Sequence, residues 1–140
     1  MSDDKLWAAV VAAELGTVAT IKKDGRPQLS DISYTAQDGL IRFSTRTALA
    51  KVHNLRRDPR ASIKVSVRGG RGYAVAEGTA ELSPVSWALD DATVEELIDV
   101  YRRIAGKEHP DWDDYRRAMV ADGRLVVRLR VEHLYGWIGD

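Results

Sequence analysis

An apparent strand ending in Ser44-Thr45-Arg46 leads into a short helical stretch that carries Lys51 and Asn54. Two hydroxyls, a guanidinium and an ammonium gathered this closely suit a phosphate, and a helix start adds unpaired backbone N–H donors. Lys51 and Asn54 are three residues apart, which puts them on one helix face. The same pattern also describes a capped helix with a solvated basic face, and residue types alone leave both readings open.

Other reactive groups are scattered. His53, His109 and His133 fall in different predicted elements, and none has the i, i+4 spacing of a helical zinc pair. Asp111, Asp113 and Asp114 lack the glycine and terminal glutamate of a calcium loop and suit the acidic start of a helix. Gly69-Gly70-Arg71-Gly72 lacks the Lys-Ser/Thr ending of a phosphate loop and joins two apparent strands, as a hairpin would. There is no cysteine, which removes disulfides and thiolate chemistry and fits a reducing compartment. These residues point to no metal site and to no catalytic acid–base or nucleophile pair.

The elements that must position Lys51 and its neighbours are legible from periodicity. Ser2 or Asp3 caps a first helix to about Glu14, with Gly16 as its stop. Thr17–Lys22 and Pro27–Thr35 flank Asp24-Gly25, a hairpin signal, and Asp38-Gly39 turns the chain into Leu40–Thr45. A short helix from about Ala48 to Arg57 must end before Pro59. Ile63, Val65 and Val67 alternate with polar residues, and Tyr73–Leu82 reads as the return strand. Thr93 and Glu96 have capping-box spacing ahead of an apolar stripe, Val94, Leu97, Ile98, Tyr101 and Ile104. Pro110 opens another helix to about Ala121, and Leu125, Val127, Leu129 and Val131 alternate through a last strand. Six strands with helices at the edges predict a β-rich antiparallel barrel, all-β or α+β in class.

The 140 residues fit one domain, spanning 1–140, and 44% hydrophobic with 30% charged residues excludes wholesale disorder. The longest apolar run, Leu6 to Ala13, is eight residues, too short to cross a bilayer, and no signal-peptide pattern opens the chain, so a cytoplasmic protein is expected. A net charge of zero hides an asymmetry: residues 41–76 carry nine Lys/Arg against Asp58 alone, and residues 77–122 carry twelve acids against five Lys/Arg. The basic segment invites an anionic ligand, or the two halves pair with each other within or between subunits. With only Phe43 and Tyr73 as aromatics, that segment does not read as a nucleic-acid surface.

Two stretches resemble a known family. Thr20-Ile21-Lys22-Lys23-Asp24-Gly25-Arg26-Pro27-Gln28-Leu29-Ser30 is similar to the opening hairpin of the pyridoxamine-5′-phosphate oxidase-like split β-barrels. Lys51-Val52-His53-Asn54-Leu55-Arg56-Arg57-Asp58-Pro59-Arg60-Ala61-Ser62 resembles their cofactor-phosphate helix and its exit. Tyr73 to Leu82, Asp90 to Gly106 and Asp111 to Val120 extend the likeness toward the actinobacterial branch that uses the deazaflavin coenzyme F420.

The resemblance implies a homodimeric split barrel with two cofactor sites at the subunit interface. It implies an oxidoreductase that passes hydride from reduced F420 to a conjugated small-molecule acceptor, with no membrane or nucleic-acid partner. Ser44 and Lys51 would hold the cofactor phosphate, with Thr45 and Arg46 beside them. Gln28, Leu29 and Ser30 would line the ring system, and Asn54 matches a polar position on the phosphate helix. Tyr73 lies in the segment that resembles the partner subunit's contribution. Where close relatives carry Arg two residues before the lysine, this chain has Leu49, so the charge is expected from Arg46. Arg71 stands where relatives present an aromatic. FMN is the alternative cofactor, and a non-catalytic F420-binding protein is the alternative role. No catalytic side chain is expected, because the cofactor supplies the redox chemistry while the protein binds and orients.

Overall fold

A computed structural model describes residues 2–139. The order is α1 (Asp3–Ala12), β1 (Leu15–Ile21), β2 (Pro27–Ser33), β3 (Thr35–Gln37), β4 (Leu40–Arg46), α2 (Ala50–Arg57), β5 (Arg60–Ser66), β6 (Gly72–Leu82), α3 (Ala92–Ala105), α4 (Trp112–Asp122) and β7 (Arg124–Ile138). Seven strands form one sheet in the order β2-β1-β5-β6-β7-β4-β3, and every pair is antiparallel. The sheet curls into a half-barrel with the helices around it. This is the β-rich antiparallel barrel expected from the periodicity, with seven strands instead of six, and its split-barrel form is the one the resemblance implies.

The extra strand arises at Tyr34. Its buried hydroxyl donates to the Val10 carbonyl at 2.6 Å, and the expected strand Pro27–Thr35 is divided there. Burial pushes the Tyr34 phenol up to about 12, so it stays protonated and keeps this bond. The bond also satisfies a carbonyl in the last turn of α1, where backbone acceptors lack helical partners.

Three helix ends differ from the sequence reading. α1 stops at Ala12, with Ala13 extended, and Gly16 lies inside β1. A side chain at Gly16 would meet Ile63 Cγ2 at 2.9 Å, so close packing of β1 on β5 explains that glycine. α3 is capped by Asp91, whose carboxylate accepts from the Val94 N–H at 2.8 Å, and not by Thr93. α4 is capped by Asp111, with Pro110 just outside it.

Two cores divide the helices. Leu6 and Val10 of α1 and Val52 and Leu55 of α2 pack with Val18, Ile41, Phe43, Ile63, Leu125 and Leu129 on one face of the sheet. Val94, Leu97 and Ile98 of α3 and Tyr115 and Met119 of α4 close over Val126 on the other face. The start of β7 is therefore dry on both sides. Each fully buried aliphatic or aromatic side chain contributes about 1.5–3 kcal/mol.

Charge also holds α3 to the sheet. Arg42 and Arg128 are opposed across β4 and β7, and Glu96 of α3 bonds both. Asp99 takes Arg42 at 2.7 Å and Glu81 takes Arg128 at 2.6 Å. Of the basic segment, Arg42 pairs with the acidic segment within one subunit. No helix among the described residues is long and apolar enough to cross a membrane.

Candidate functional site

β1 and β2 form the hairpin turned by Asp24-Gly25, in which Thr20 faces Gln28 and Val18 faces Ser30. Strand alternation directs Thr20, Gln28 and Ser30 to one face and Leu29 to the other. α2 crosses that first face. Its Val52, Asn54 and Leu55 are buried, so the helix is fixed by two apolar anchors with a polar residue between them.

Asn54 is fully used. Its amide donates to Thr20 Oγ1 and to Gln28 Oε1, both at 3.0 Å, and its carbonyl oxygen accepts from Arg57 Nη2 at 3.0 Å. Arg57 also donates to the Ile21 carbonyl at 3.1 Å. This network welds α2 to the hairpin and sets the orientation of the next helical turn. On that turn Lys51 donates Nζ to Ser30 Oγ at 2.9 Å.

Lys51 is a half-buried cation with a hydroxyl as its neighbour. Among the described residues it forms no ion pair, and burial pulls its pKa below the ordinary lysine value. At the N-cap of α2, Leu49 provides no side-chain hydrogen bond. A basic group without an acid, set next to an uncapped helix start, is chemically suited to an anion.

The residues expected from the sequence fall into separate sets. Gln28, Ser30, Lys51 and Asn54 come together, joined by Arg57 and by Thr20, a member that local pattern did not single out. Leu29 shares their strand but faces outward, 63% exposed. Ser44 and Arg46 lie on the sheet face opposite Phe43 and Thr45, and Thr45 is buried on the core side. Ser44 Oγ accepts from Arg124 Nη1 at 3.2 Å, a contact 80 residues apart in sequence. Tyr73 sits on the outer face of β6, opposite Ser66 on β5 and Trp137 on β7, and does not meet Lys51 within the protomer.

That outer face carries the aromatics Tyr73, Tyr135 and Trp137, all exposed. A groove of about 560 Å³ lies beside them, lined by Ala19, Ile21, Ser62, Glu77 and His133 among others. The three histidines remain apart. His53 is exposed on α2, His133 stacks on Tyr135, and His109 accepts the Asp111 N–H at 2.9 Å within an aromatic cluster. No group of three or more His, Asp or Glu able to hold a metal occurs among the described residues.

Comparison with solved structures gives the same architecture. A conserved hypothetical protein, Rv2991, from Mycobacterium tuberculosis is 28% identical, with a TM-score of 0.76 over 99% of this chain and 85% of that one. An F420 reductase is 20% identical, with a TM-score of 0.66 over 91% of this chain and 94% of that one. An FAD-binding protein from Mesorhizobium loti is 19% identical, with a TM-score of 0.69 over 97% and 94%. The family model described as pyridoxamine 5′-phosphate oxidase matches residues 2–138. With that match running through both strands of the hairpin, α2 and the long return of β7, the chain belongs to the pyridoxamine 5′-phosphate oxidase family.

Proposed function

We propose that this protein is an F420-dependent oxidoreductase acting on a conjugated small-molecule acceptor, and that it works as a homodimer with cofactor sites at the subunit interface. The observation that carries the reading is Lys51: an ammonium half removed from water, bonded to Ser30 and lacking a carboxylate among the described residues. A cofactor phosphate would supply the missing charge. The site fits such a group, since Lys51 offers an ammonium on a helix that Asn54 already fixes to the hairpin.

When bound, the deazaflavin supplies hydride. The work of the chain is to hold and orient it. Lys51 neutralises the phosphate, Gln28 and Ser30 flank the ring system, and the exposed main chain at Leu29 borders it. Tyr73 reaches the site from the partner subunit. Exposed Tyr73, Tyr135 and Trp137 on one sheet face support that assembly, because a lone protomer leaves them in water.

The same donors would meet the phosphate of FMN, so competition decides between the two cofactors. Titration of the purified protein with F420 and with FMN, followed by fluorescence at low and high salt, should show tighter binding of F420 at low salt. Stoichiometric co-purification of FMN, or its tighter binding, would replace this reading with the FMN-dependent one. Sustained turnover of a conjugated acceptor would separate an enzyme from a cofactor carrier.

A further inference from the structure

An irregularity in the pairing of β6 with β7 gathers polar groups at one place. Glu77 faces His133 and Gly78 faces Val131, so Glu132 is left without a partner, as a bulge. A side chain at Gly78 would collide with the Arg130 carbonyl, which ties the bulge to this glycine. Neighbours in a regular strand point to opposite faces. Here the bulge turns both Glu132 and His133 toward the groove of about 560 Å³, with Glu77 beside them.

The rest of the groove is different in kind. Ala19, Ile21 and Pro27 give it an apolar wall on the hairpin. Arg60 also lines it, but Asp58 accepts from its Nε and Nη2 at 3.1 and 2.8 Å and matches its charge. Glu132 accepts from the Thr79 hydroxyl at 2.6 Å, and neither it nor Glu77 forms an ion pair among the described residues. His133 is exposed, its ring stacked on Tyr135 at 5.9 Å. Asp3 and Asp4 of α1 stand across a smaller cavity that His133 also lines. An apolar wall with a few polar groups at one end is the ordinary build of a small-molecule site.

Pro27 leads into Gln28, and Ala19 is paired with Leu29, so the groove borders the part of the hairpin assigned to the ring system. We propose that the groove takes the acceptor, an uncharged conjugated carbonyl compound, and that His133 protonates it after hydride transfer; the inference rests on that assignment of the ring system. Hydride gained at the β-carbon of such a compound sends an electron pair to the carbonyl oxygen as an enolate. A proton from the His133 imidazolium completes an enol, which relaxes to the saturated carbonyl compound, and solvent returns a proton to the exposed ring. The two electrons come from the reduced cofactor, which is left oxidised. Histidine suits this role because its charge changes between about pH 5 and 8. The carboxylates of Glu77 and Glu132 repel an anionic acceptor.

The first test needs neither cofactor nor turnover. Cyclohex-2-enone titrated into the full chain should shift the His133 imidazole signals in NMR and leave those of His53 and His109 in place, with His133→Gln assigning the signals. A cyclohexenone carrying a carboxylate should bind about tenfold more weakly. With reduced F420 present, His133→Gln should lower kcat about a hundredfold, as loss of a positioned acid does, while KM for F420 stays level and the histidine limb of the pH profile disappears. His133 is exposed, so this variant should fold. His133 signals indifferent to the enone, equal binding of the charged enone, or a His133→Gln enzyme with the parent's rate and pH profile would overturn the proposal. Failure of F420 to bind, with the enone response at His133 intact, would sink the deazaflavin reading alone and support the groove as a carbonyl site.

Discussion

Lys51 of α2 and Ser30 of β2 meet at 2.9 Å, and this contact joins a cation to a hydroxyl where an acid would ordinarily stand. Burial lowers the pKa of Lys51, so the folded protein disfavours its charge. For a lysine with a depressed folded value, stability rises as pH climbs through that value toward the unfolded one. The charge is therefore retained at a cost to the empty fold, which is the signature expected of a residue kept for a ligand.

Replacing Lys51 should accordingly separate binding from folding. Lys51→Ala loses a charge-assisted contact of roughly 1.5–3 kcal/mol, which corresponds to one to two orders of magnitude in cofactor affinity. Its melting temperature without cofactor should stay level or rise slightly. Fluorescence titration and thermal denaturation on the same sample check both halves, and a large drop in melting temperature would make Lys51 a structural residue instead.

Asn54 should behave in the opposite way. Its side chain is buried and satisfies Thr20 and Gln28 while receiving Arg57, so truncation strands several polar groups. Asn54→Ala should destabilise the protein by about 1–3 kcal/mol, the cost of leaving buried partners unmade. Denaturant unfolding measures this directly. Cofactor affinity should fall as well, since the turn carrying Lys51 loses its reference points.

The difference between these two residues shows what local sequence can convey. Lys51 and Asn54 are visible together because helix spacing puts them on one face, and the β1–β2 hairpin is visible because Asp24-Gly25 marks its turn. Gly16 misled as a helix stop because its small size answers to Ile63, a strand neighbour far along the chain. The division of Pro27–Thr35 at Tyr34 depends on a hydroxyl bond back to α1. Arg124 escaped notice for the same reason: its relation to Ser44 and Arg46 exists only once β7 has paired with β4. Local bonds invisible in the sequence also occupy the arginines that follow Lys51, since Arg57 is tied to Asn54 and Arg60 to Asp58.

Acid should loosen α3 before it touches the barrel. Hydrogen bonds from Arg128, opposed by some desolvation, hold Glu96 below the ordinary glutamate value, and Arg42 does the same first for Asp99. Carboxylates with depressed folded values contribute stability that is present above the unfolded value and lost as pH falls through the folded one. Stability should therefore hold at neutral pH and decline below about pH 4, where unperturbed carboxylates begin to protonate. Glu96→Gln should remove about 1.5–3 kcal/mol at neutral pH, the range for hydrogen bonds to charged groups, and flatten that acid limb. Chemical denaturation of both proteins across pH 3–7 tests it; parallel curves would show that the network contributes nothing to the pH dependence.

Assembly is the condition on which a shared cofactor site stands. β7 runs to Ile138, so Tyr135 and Trp137 are regular outer-face positions, opposite Val75 and Tyr73 of β6. Trp137 is 57% exposed in the protomer, and Tyr73 and Tyr135 lie beside it. Contiguous exposed aromatics of this kind mark interfaces, and a stable dimer of a chain this size buries on the order of 800 Å² per partner. The expected outcome is a dimer at micromolar concentration by light scattering. Trp137→Asp should shift it toward monomer and lower cofactor affinity at the same time, because Tyr73 of the partner would leave the site. Gly136, next to it, should be left alone, since its close approach to the β6 backbone would confuse interface loss with misfolding. A protein that is monomeric yet binds cofactor with full affinity would confine the whole site to one chain.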